Sequence, residues 1–490
     1  MSGQRSMWGA GLVLLAALVA VHSWGTPLEG DVYWQWTAGS LMLARHAVLR
    51  TDPFSYTLHG YPWVTEEWGF EVLLAWLVQQ LGRWGFWVMG AVPGMAAAGL
   101  VYLRLGRRGL GPLPSLVLAL GSTFSWLPFV KDRPQVLSYA LMALLYVLLD
   151  AARAGRTRAL WWLLPLAWFW ANVHGSFLAL FVLVGLEALW AAVPVRAGLW
   201  DPQAGGAPAW AYLAAGAGAA LATFLNPHGP GLWAYAWRVS LSPKITDTIV
   251  EWQSPDFHVA WILAAVAAPL LLTVVVVLAR ARPVPWRDSV IAAAWLVATL
   301  HAVRFLPYWA LSWPVLLEGV GPWLTPRRVR PGVVAAVLLA GAAAAAALAP
   351  PARFGRPAAD IPVGAVRFLR HAPPGRVFNP YHLGGYLIHA GIPVFIDGRT
   401  DFYLARHAAV LDAYLGVKHL TTSPQAVFNA WRVRYVLWTP GTALARYLAD
   451  SPAWRLVYAS PRAVVYARAV APRSGIMGPA GSGRGSGGPR

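Results

Sequence analysis

Long runs of Leu, Val, Ala and Trp alternate along this chain with short Arg-bearing connections. The runs have the length a helix needs to cross a bilayer, about 17 to 25 residues. About eleven emerge, near residues 7–24, 84–103, 113–129, 134–150, 159–172, 176–194, 208–225, 258–279, 288–306, 307–324 and 332–349. Two further stretches, 31–47 and 66–81, are amphipathic rather than uniformly apolar. In the second, Trp68, Phe70, Leu73, Leu74, Leu77 and Val78 recur at helical spacing, which predicts helices lying on the outer membrane surface within the first loop. After Pro350-Pro351 charge rises, and the strand-like pieces Val394-Phe395-Ile396, Tyr435-Val436-Leu437 and Val464-Val465-Tyr466 appear between helical stretches. The expected architecture is an α-helical polytopic membrane protein over residues 1–349, an extracytoplasmic α/β domain over 350–470, and a disordered Gly/Ser/Pro-rich tail over 471–490.

Orientation follows from the basic residues, because cytoplasmic loops carry the excess of Arg and Lys. With the N-terminus inside, the inner connections hold fourteen: Arg5, Arg104, Arg107, Arg108, Arg153, Arg156, Arg158, Arg196, Arg280, Arg282, Arg287, Arg327, Arg328 and Arg330. The outer connections up to residue 349 hold eight over longer loops, which predicts an N-in, C-out chain. If 66–81 spanned the membrane, every later loop would invert and the Arg clusters would face outward. Residues 7–24 have no small-x-small cleavage site before Pro27 and read as an uncleaved anchor.

Composition sharpens the class. Of 490 residues 58% are hydrophobic and 12% charged, against about a quarter charged in soluble domains. The 29 Trp and 17 Tyr fit the aromatic belts of a membrane protein. The net charge of +19 is scattered between apolar runs rather than gathered on a soluble face, so nucleic acid is not an expected partner. Residues 350–490 carry +12 of it, which fits anionic headgroups or glycans and equally a generic Arg-rich surface. The absence of cysteine excludes disulfides, a thiol nucleophile and thiolate metal sites. No His-Glu-x-x-His and no phosphate-binding glycine loop occurs, so no nucleotide is expected.

Fifteen acidic residues precede residue 350, and ten of them fall on the outer side: Glu29, Asp31, Asp52, Glu66, Glu67, Glu71, Asp132, Asp247, Glu251 and Asp256. Chemistry that needs carboxylates belongs at the outer mouth. Asp150, Asp201 and Asp288 fall at inner ends, and Glu187 and Glu318 near them, where snorkelling to water is the simple expectation. Asp31, followed by Tyr33, Trp34 and Trp36, places a carboxylate at headgroup depth, either as a general base or as the N-cap of the helix that follows. Glu66 and Glu67 open the next amphipathic helix, where acids also favour the helix dipole. Asp132 sits in the short turn Lys131-Asp132-Arg133-Pro134-Gln135 and is either part of the site or locally ion-paired. His174 and Asn226-Pro227-His228-Gly229 mark two more outer turns. His301 and Arg304 are one helical turn apart, and an Arg at that depth calls for an anionic ligand or a carboxylate. Asp397-Gly398-Arg399 reads as a turn or as an acceptor contact.

These pieces, in their order, resemble the glycosyltransferase C superfamily of polyprenyl-phosphate-sugar-dependent membrane enzymes, and are similar to a mostly uncharacterised bacterial group. The motifs are Asp31-x-Tyr33-Trp34, Trp63-x-x-Glu66-Glu67-Trp68, Arg133-Pro134-Gln135, Asn172-x-His174-Gly175, Asn226-Pro227-His228-Gly229, and Gly384-Gly385-Tyr386 followed by Asp397-Gly398-Arg399-Thr400-Asp401. The similarity spans nearly the whole chain, about residues 7 to 468. The resemblance implies transfer of one sugar from a polyprenyl-phosphate carrier, with inversion, to an extracytoplasmic glycan, lipid or protein acceptor at a bacterial plasma membrane. It gives Asp31 the role of base, with Glu66, Glu67 and Asp132 assisting it or holding a divalent metal. It departs from the better-known pattern in lacking an acidic pair at Asp31 and a Trp-Trp-Asp motif. Arg304, His301, Arg133, His174, His228 and Lys244 are then candidates for the donor phosphate, since cations preorganised around a leaving phosphate stabilise the transition state. Tyr386, Asp397, Arg399 and Asp401 are candidates for the acceptor, and the 229–257 loop is either a lid or a plain surface loop.

Other architectures compete. A transporter or lipid flippase would keep ionisable residues near mid-membrane, a non-catalytic assembly scaffold would share the fold, and an O-antigen-type ligase would carry a large central outer loop.

Overall fold

The computed structural model describes residues 2–192, 206–240, 249–279, 285–321, 324, 331–406 and 408–469. Lys244, with the rest of residues 241–248 in the 229–257 loop, and the 471–490 tail lie outside the described residues.

The apolar runs fold as helices: α1 (Ser2–Gly25), then α2 (Gly30–Arg45), α3 (Trp68–Leu81), α4 (Trp84–Arg107), α5 (Pro112–Trp126), α6 (Gln135–Arg153), α7 (Leu163–Val173), α8 (Leu178–Ala192), α9 (Ala209–Thr223), α10 (Gly231–Ser240), α11 (Ala260–Leu278), α12 (Trp286–His301), α13 (Leu306–Ser312) and α14 (Pro331–Ala347). Five segments, Gln4–Gly25, Trp84–Arg107, Gln135–Arg153, Gly175–Ala192 and Ala260–Leu278, are long and apolar enough to cross a bilayer unaided. The rest are shorter or are lengthened by 3₁₀ turns, as Thr157–Trp162 lengthens α7 and Trp313–Val320 lengthens α13. The chain is a multi-pass membrane protein. Helix α10 occupies part of the expected loop, held by the Trp233 indole donating to Thr223 at 2.8 Å.

The inner ends depart from expectation. Glu187, Asp288, Asp150 and Glu318 do not snorkel; they are buried and paired. Arg104 meets Asp150 at 2.7 Å and Asp288 at 3.3 Å, Arg108 meets Asp288 at 3.0 Å and Asp150 at 3.3 Å, and Arg153 meets Asp288 at 2.9 Å. Arg108 also pairs with Glu318, Arg153 with Glu187, and Arg287 with Glu187. Four guanidiniums thus face four carboxylates, so the network closes with no net charge while joining α4, α6, α8, α12 and the Trp313–Val320 turn. Burial of charges in such a place is tolerable only when every ion is paired.

The C-terminal domain comprises α15 (Val363–His371), β1 (Arg376–Phe378), α16 (Gly384–His389), α17 (Thr400–Arg406), α18 (Ala408–Lys418), α19 (Pro424–Ala430), β2 (Val433–Trp438), α20 (Ala443–Asp450), β3 (Trp454–Ala459) and β4 (Val464–Arg468). Its sheet runs β1-β2-β4-β3, with β1 parallel to β2 and the other pairs antiparallel. The expected strand at Val394-Phe395-Ile396 makes only isolated parallel bridges, Val394 to Val377 and to Ser55. The Asn379 side chain takes its place in the ladder, accepting from Phe395 N at 2.9 Å and donating to Ile396 O at 2.8 Å.

The bridge to Ser55 ties the first outer loop to the domain, and Thr57 Oγ1 donating to Phe395 O at 2.8 Å adds to it. Helices α2 and α3 therefore do not simply lie on the membrane. They are clamped between the bundle and the domain, with Val32, Tyr33, Trp34, Gln35 and Ala38 buried. Gly39 lets α2 touch the backbone of Glu71 on α3, where any side chain would collide.

Candidate active site

Asp31 stands in the first turn of α2, and the residue at the N-cap is Glu29. The Asp31 side chain caps nothing; it meets Arg133 Nη2 at 2.9 Å and stays a quarter exposed. Arg133 is shared with Glu29 at 2.9 Å and Glu251 at 3.3 Å, and Lys131 also pairs with Glu29, at 2.5 Å. The turn at 131–133 thus makes no local ion pair. Asp132 points the other way, buried against Gly90 of α4, and no described ion pair includes it. Burial, followed by the charge of Glu29, holds its carboxyl well above the usual range. Burial likewise raises Asp31, with Arg133 opposing, so the group is poised closer to neutral pH than an ordinary aspartate.

A second set of acids lies beside it. Glu66 and Glu67 end the loop before α3, and Glu71 is in its first turn. Asp401, in the first turn of α17, comes from the outer domain. Burial raises all four, and their mutual repulsion, with Asp401 acting on each glutamate, adds to it. Gln35 donates to Glu67 at 3.0 Å. Gly175 packs beside Glu66, so the Asn172-x-His174-Gly175 turn reaches the same place. There His174 Nδ1 accepts from Ser176 N and lies 2.9 Å from Ser138 Oγ, which leaves Nε2 facing Glu67 at 4.0 Å. Burial and the Arg304 charge push its imidazole down to about 3, so it is a neutral N–H donor at physiological pH. His228 reaches the loop too, 3.3 Å from Thr65 Oγ1, and Arg50 donates to Pro227 O at 3.1 Å.

Arg304 stacks on Trp252 at 4.1 Å, and its charge reaches Glu66 and His174. His301 does not share its face: α12 ends at His301, Ala302 is extended and Val303–Phe305 is a 3₁₀ turn, so the two side chains part and His301 is exposed. Glu251 and Trp252, neighbours on one 3₁₀ turn, contact Arg133 and Arg304, a role the sequence signals only through their place on an outer loop.

The expected acceptor group divides. Tyr386 packs edge-on against Tyr33 at 4.8 Å and is half-buried. Asp401 joins the acidic set. Asp397 and Arg399 are buried, at 0% and 1% exposure, and bind each other through Arg399 Nε at 2.8 Å and Nη2 at 2.7 Å. Neither is open to an acceptor, because each side chain is spent on its partner. Among the described residues, no group of three or more His, Asp or Glu is arranged to hold a metal ion.

Fold and site define a multi-pass membrane protein with its polar chemistry gathered at one end of the helical bundle beneath the C-terminal domain. Two solved structures share that fold. The archaeal oligosaccharyltransferase AglB from Archaeoglobus fulgidus, solved with an inhibitory peptide and a dolichol-phosphate, superposes with a TM-score of 0.56 at 10% identity, covering 88% of this chain and 69% of that one. ArnT from Cupriavidus metallidurans in the apo state gives 0.54 at 15% identity, covering 94% and 97%. No protein-family model and no curated sequence matches the chain.

Proposed function

We propose that this protein is an inverting glycosyltransferase that moves a sugar from a polyprenyl-phosphate carrier to an acceptor outside the cytoplasm, a cell-envelope glycan, lipid or protein. The observation that carries the reading is the convergence of Asp31, Glu66, Glu67 and Asp401 with Arg133 and Arg304 in a fold shared with an oligosaccharyltransferase solved in complex with a dolichol-phosphate. Asp31 takes the proton of the acceptor hydroxyl as its oxygen attacks the anomeric carbon from the face opposite the phosphate. The anomeric C–O bond breaks, and polyprenyl phosphate departs with the electron pair. Arg304, stacked but not ion-paired by any described contact, and the His174 N–H receive the phosphate, with His228 nearby. Arg133 holds Asp31 in place and becomes available to the phosphate when a carboxylate releases it. Among the described residues no group of three or more His, Asp or Glu is arranged to hold a metal ion, and no step is assigned to one.

The test is a transfer assay on purified protein in lipid, with hexosyl and pentosyl polyprenyl phosphates as donors and envelope extract as acceptor. Asp31→Asn is expected to lower transfer by roughly 10²- to 10⁴-fold, the worth of a positioned base, while donor binding survives. Transfer by the variant at the wild-type rate, or no donor consumed by the wild type, would sink the proposal.

A further inference from the structure

Beside the carboxylates assigned to the site stands a second buried charged group, Asp52–Arg399–Asp397. Asp52 belongs to the first loop and the other two to the outer domain, and all three are at most 1% exposed. Arg399 grips Asp397 with two nitrogens and reaches Asp52 Oδ1 at 2.9 Å with a third. Its guanidinium is caged by Trp63 at 4.5 Å, Phe402 at 5.0 Å and Phe54 at 5.2 Å. Asp52 also accepts from Phe54 N, Ser55 N and Ser55 Oγ, and Asp397 from the Tyr403 hydroxyl. Two carboxylates and one guanidinium in an apolar cage are a poor way to gain stability, since a packed apolar cluster does as well. Such a group earns its place by fixing geometry.

What it fixes is Gly398, the residue between Asp397 and Arg399. A side chain there would collide with Asp31, its Cβ falling within bonding range of Oδ1 and 2.7 Å from Cγ. Gly398 is not in the left-handed region, so its backbone does not require glycine. A methyl there would instead force the Asp31 carboxylate to turn aside. The Gly398 carbonyl is held in turn by the Tyr381 hydroxyl at 2.9 Å. A second close approach locks the same elements, Gly385 of α16 against the carbonyl of Gly30 at the start of α2, where again a side chain would collide.

We propose that Asp52, Arg399 and Asp397 form a positioning latch, by which the outer domain presses the Gly398 backbone against Asp31 and sets the direction of its carboxylate. The latch touches no substrate; it acts through Asp31. This rests on the reading of Asp31 as the base, and makes the C-terminal domain a wall of the active site rather than an appendage.

Two variants test it in the full-length protein in lipid: Asp52→Asn, which keeps shape and loosens the grip on Arg399, and Gly398→Ala, which leaves the latch intact and adds one methyl against Asp31. Both are expected to lower kcat by about 10- to 100-fold, the cost of misplacing a reacting group by about 1 Å, with KM for the polyprenyl-phosphate sugar that wild type consumes changed less than about threefold. Both should also change the rate at which a water-soluble carbodiimide labels Asp31, read by mass spectrometry, while the thermal midpoint stays within a few degrees. Wild-type kcat and wild-type labelling in both variants would overturn the latch, as would a loss of folding in Asp52→Asn with a fully active Gly398→Ala. If Asp31→Asn itself transfers normally, the base assignment falls, and altered Asp31 labelling would still establish the mechanical coupling.

Discussion

Glu71 offers the sharpest test of the electrostatics at the outer site. It is 1% exposed, and its Oε2 has no hydrogen-bond partner. Burial pushes its carboxyl from 4.5 up to about 8, against the opposing charge of Arg399 and with the help of Asp401 and Glu66. The folded state therefore holds this proton more tightly than the unfolded chain. The resulting stability is fully present below about pH 4.5 and is lost as pH rises toward about 8. Between those limits the loss is about 1.4 kcal/mol per pH unit. Glu71→Gln removes the titration with almost no change of shape, so its advantage over wild type should be below about 1 kcal/mol at pH 5 and grow to about 3 kcal/mol at pH 7. Thermal unfolding in detergent at pH 5, 6, 7 and 8 measures this as a gap in midpoints that widens with pH. A gap that is constant, or a glutamine variant less stable at pH 8, would show that Glu71 is ionised in the fold and would refute the burial argument.

Three further outcomes are expected. Arg153→Met takes one cation from Glu187 and Asp288 and leaves the buried network with an uncompensated negative charge, which should cost about 3–5 kcal/mol, while the charge-balanced double variant Arg153→Met/Glu187→Met should recover most of that in the same melts; no recovery would mean that packing, not charge balance, holds this end of the bundle. Arg304→Gln should raise KM for the donor about tenfold or more, and Trp252→Leu by less, because an arginine–indole contact is worth about 0.5–1 kcal/mol at an accessible site; equal kinetics in Arg304→Gln and wild type would remove Arg304 from donor binding. Since His174 is held near 3 and stays neutral above pH 5, the pH–rate profiles of wild type and His174→Asn should have the same shape from pH 5 to 8, and an acidic limb found only in the wild type would contradict its assignment.

The helices are legible because a bilayer demands long apolar runs, and the gathering of the candidate chemistry at one end of the bundle is legible because acids are rare and clustered in a few connections. What stayed hidden is pairing between distant segments. Nothing near Glu187 in sequence announces Arg153, so solvation at a helix end was the reasonable expectation, yet the two are buried together with Asp288. His301 and Arg304 have helical spacing, but the helix ends between them, and a spacing rule is silent on where a ladder breaks. At Asp397-Gly398-Arg399 the backbone bends at Gly398; its meaning lies in Asp52, more than three hundred residues earlier, and in the closeness of Asp31. The strand expected at 394–396 failed for a local reason, since one asparagine side chain supplies the hydrogen bonds a neighbouring strand would have given.

The two ends of the bundle solve the problem of buried charge in opposite ways, and the contrast locates function. At the inner end four guanidiniums and four carboxylates cancel, every ion has a partner, and there is no electrostatic reason for a ligand to enter. At the other end Glu66, Glu67, Glu71 and Asp401 crowd together, with Arg304 opposing Glu66 and in no ion pair among the described residues, and their carboxyls are pushed upward by burial and by neighbouring acids. A stable fold gains nothing from that arrangement, since each uncompensated carboxyl costs proton uptake at neutral pH. Perturbed, unbalanced groups of this kind concentrate where chemistry is done. The outer domain contributes Asp401 to the set, Gly398 to the wall and Arg399 to the latch, so the site exists only when the domain is seated on the first loop. Truncation after Pro350 should therefore abolish transfer even if the membrane helices still insert.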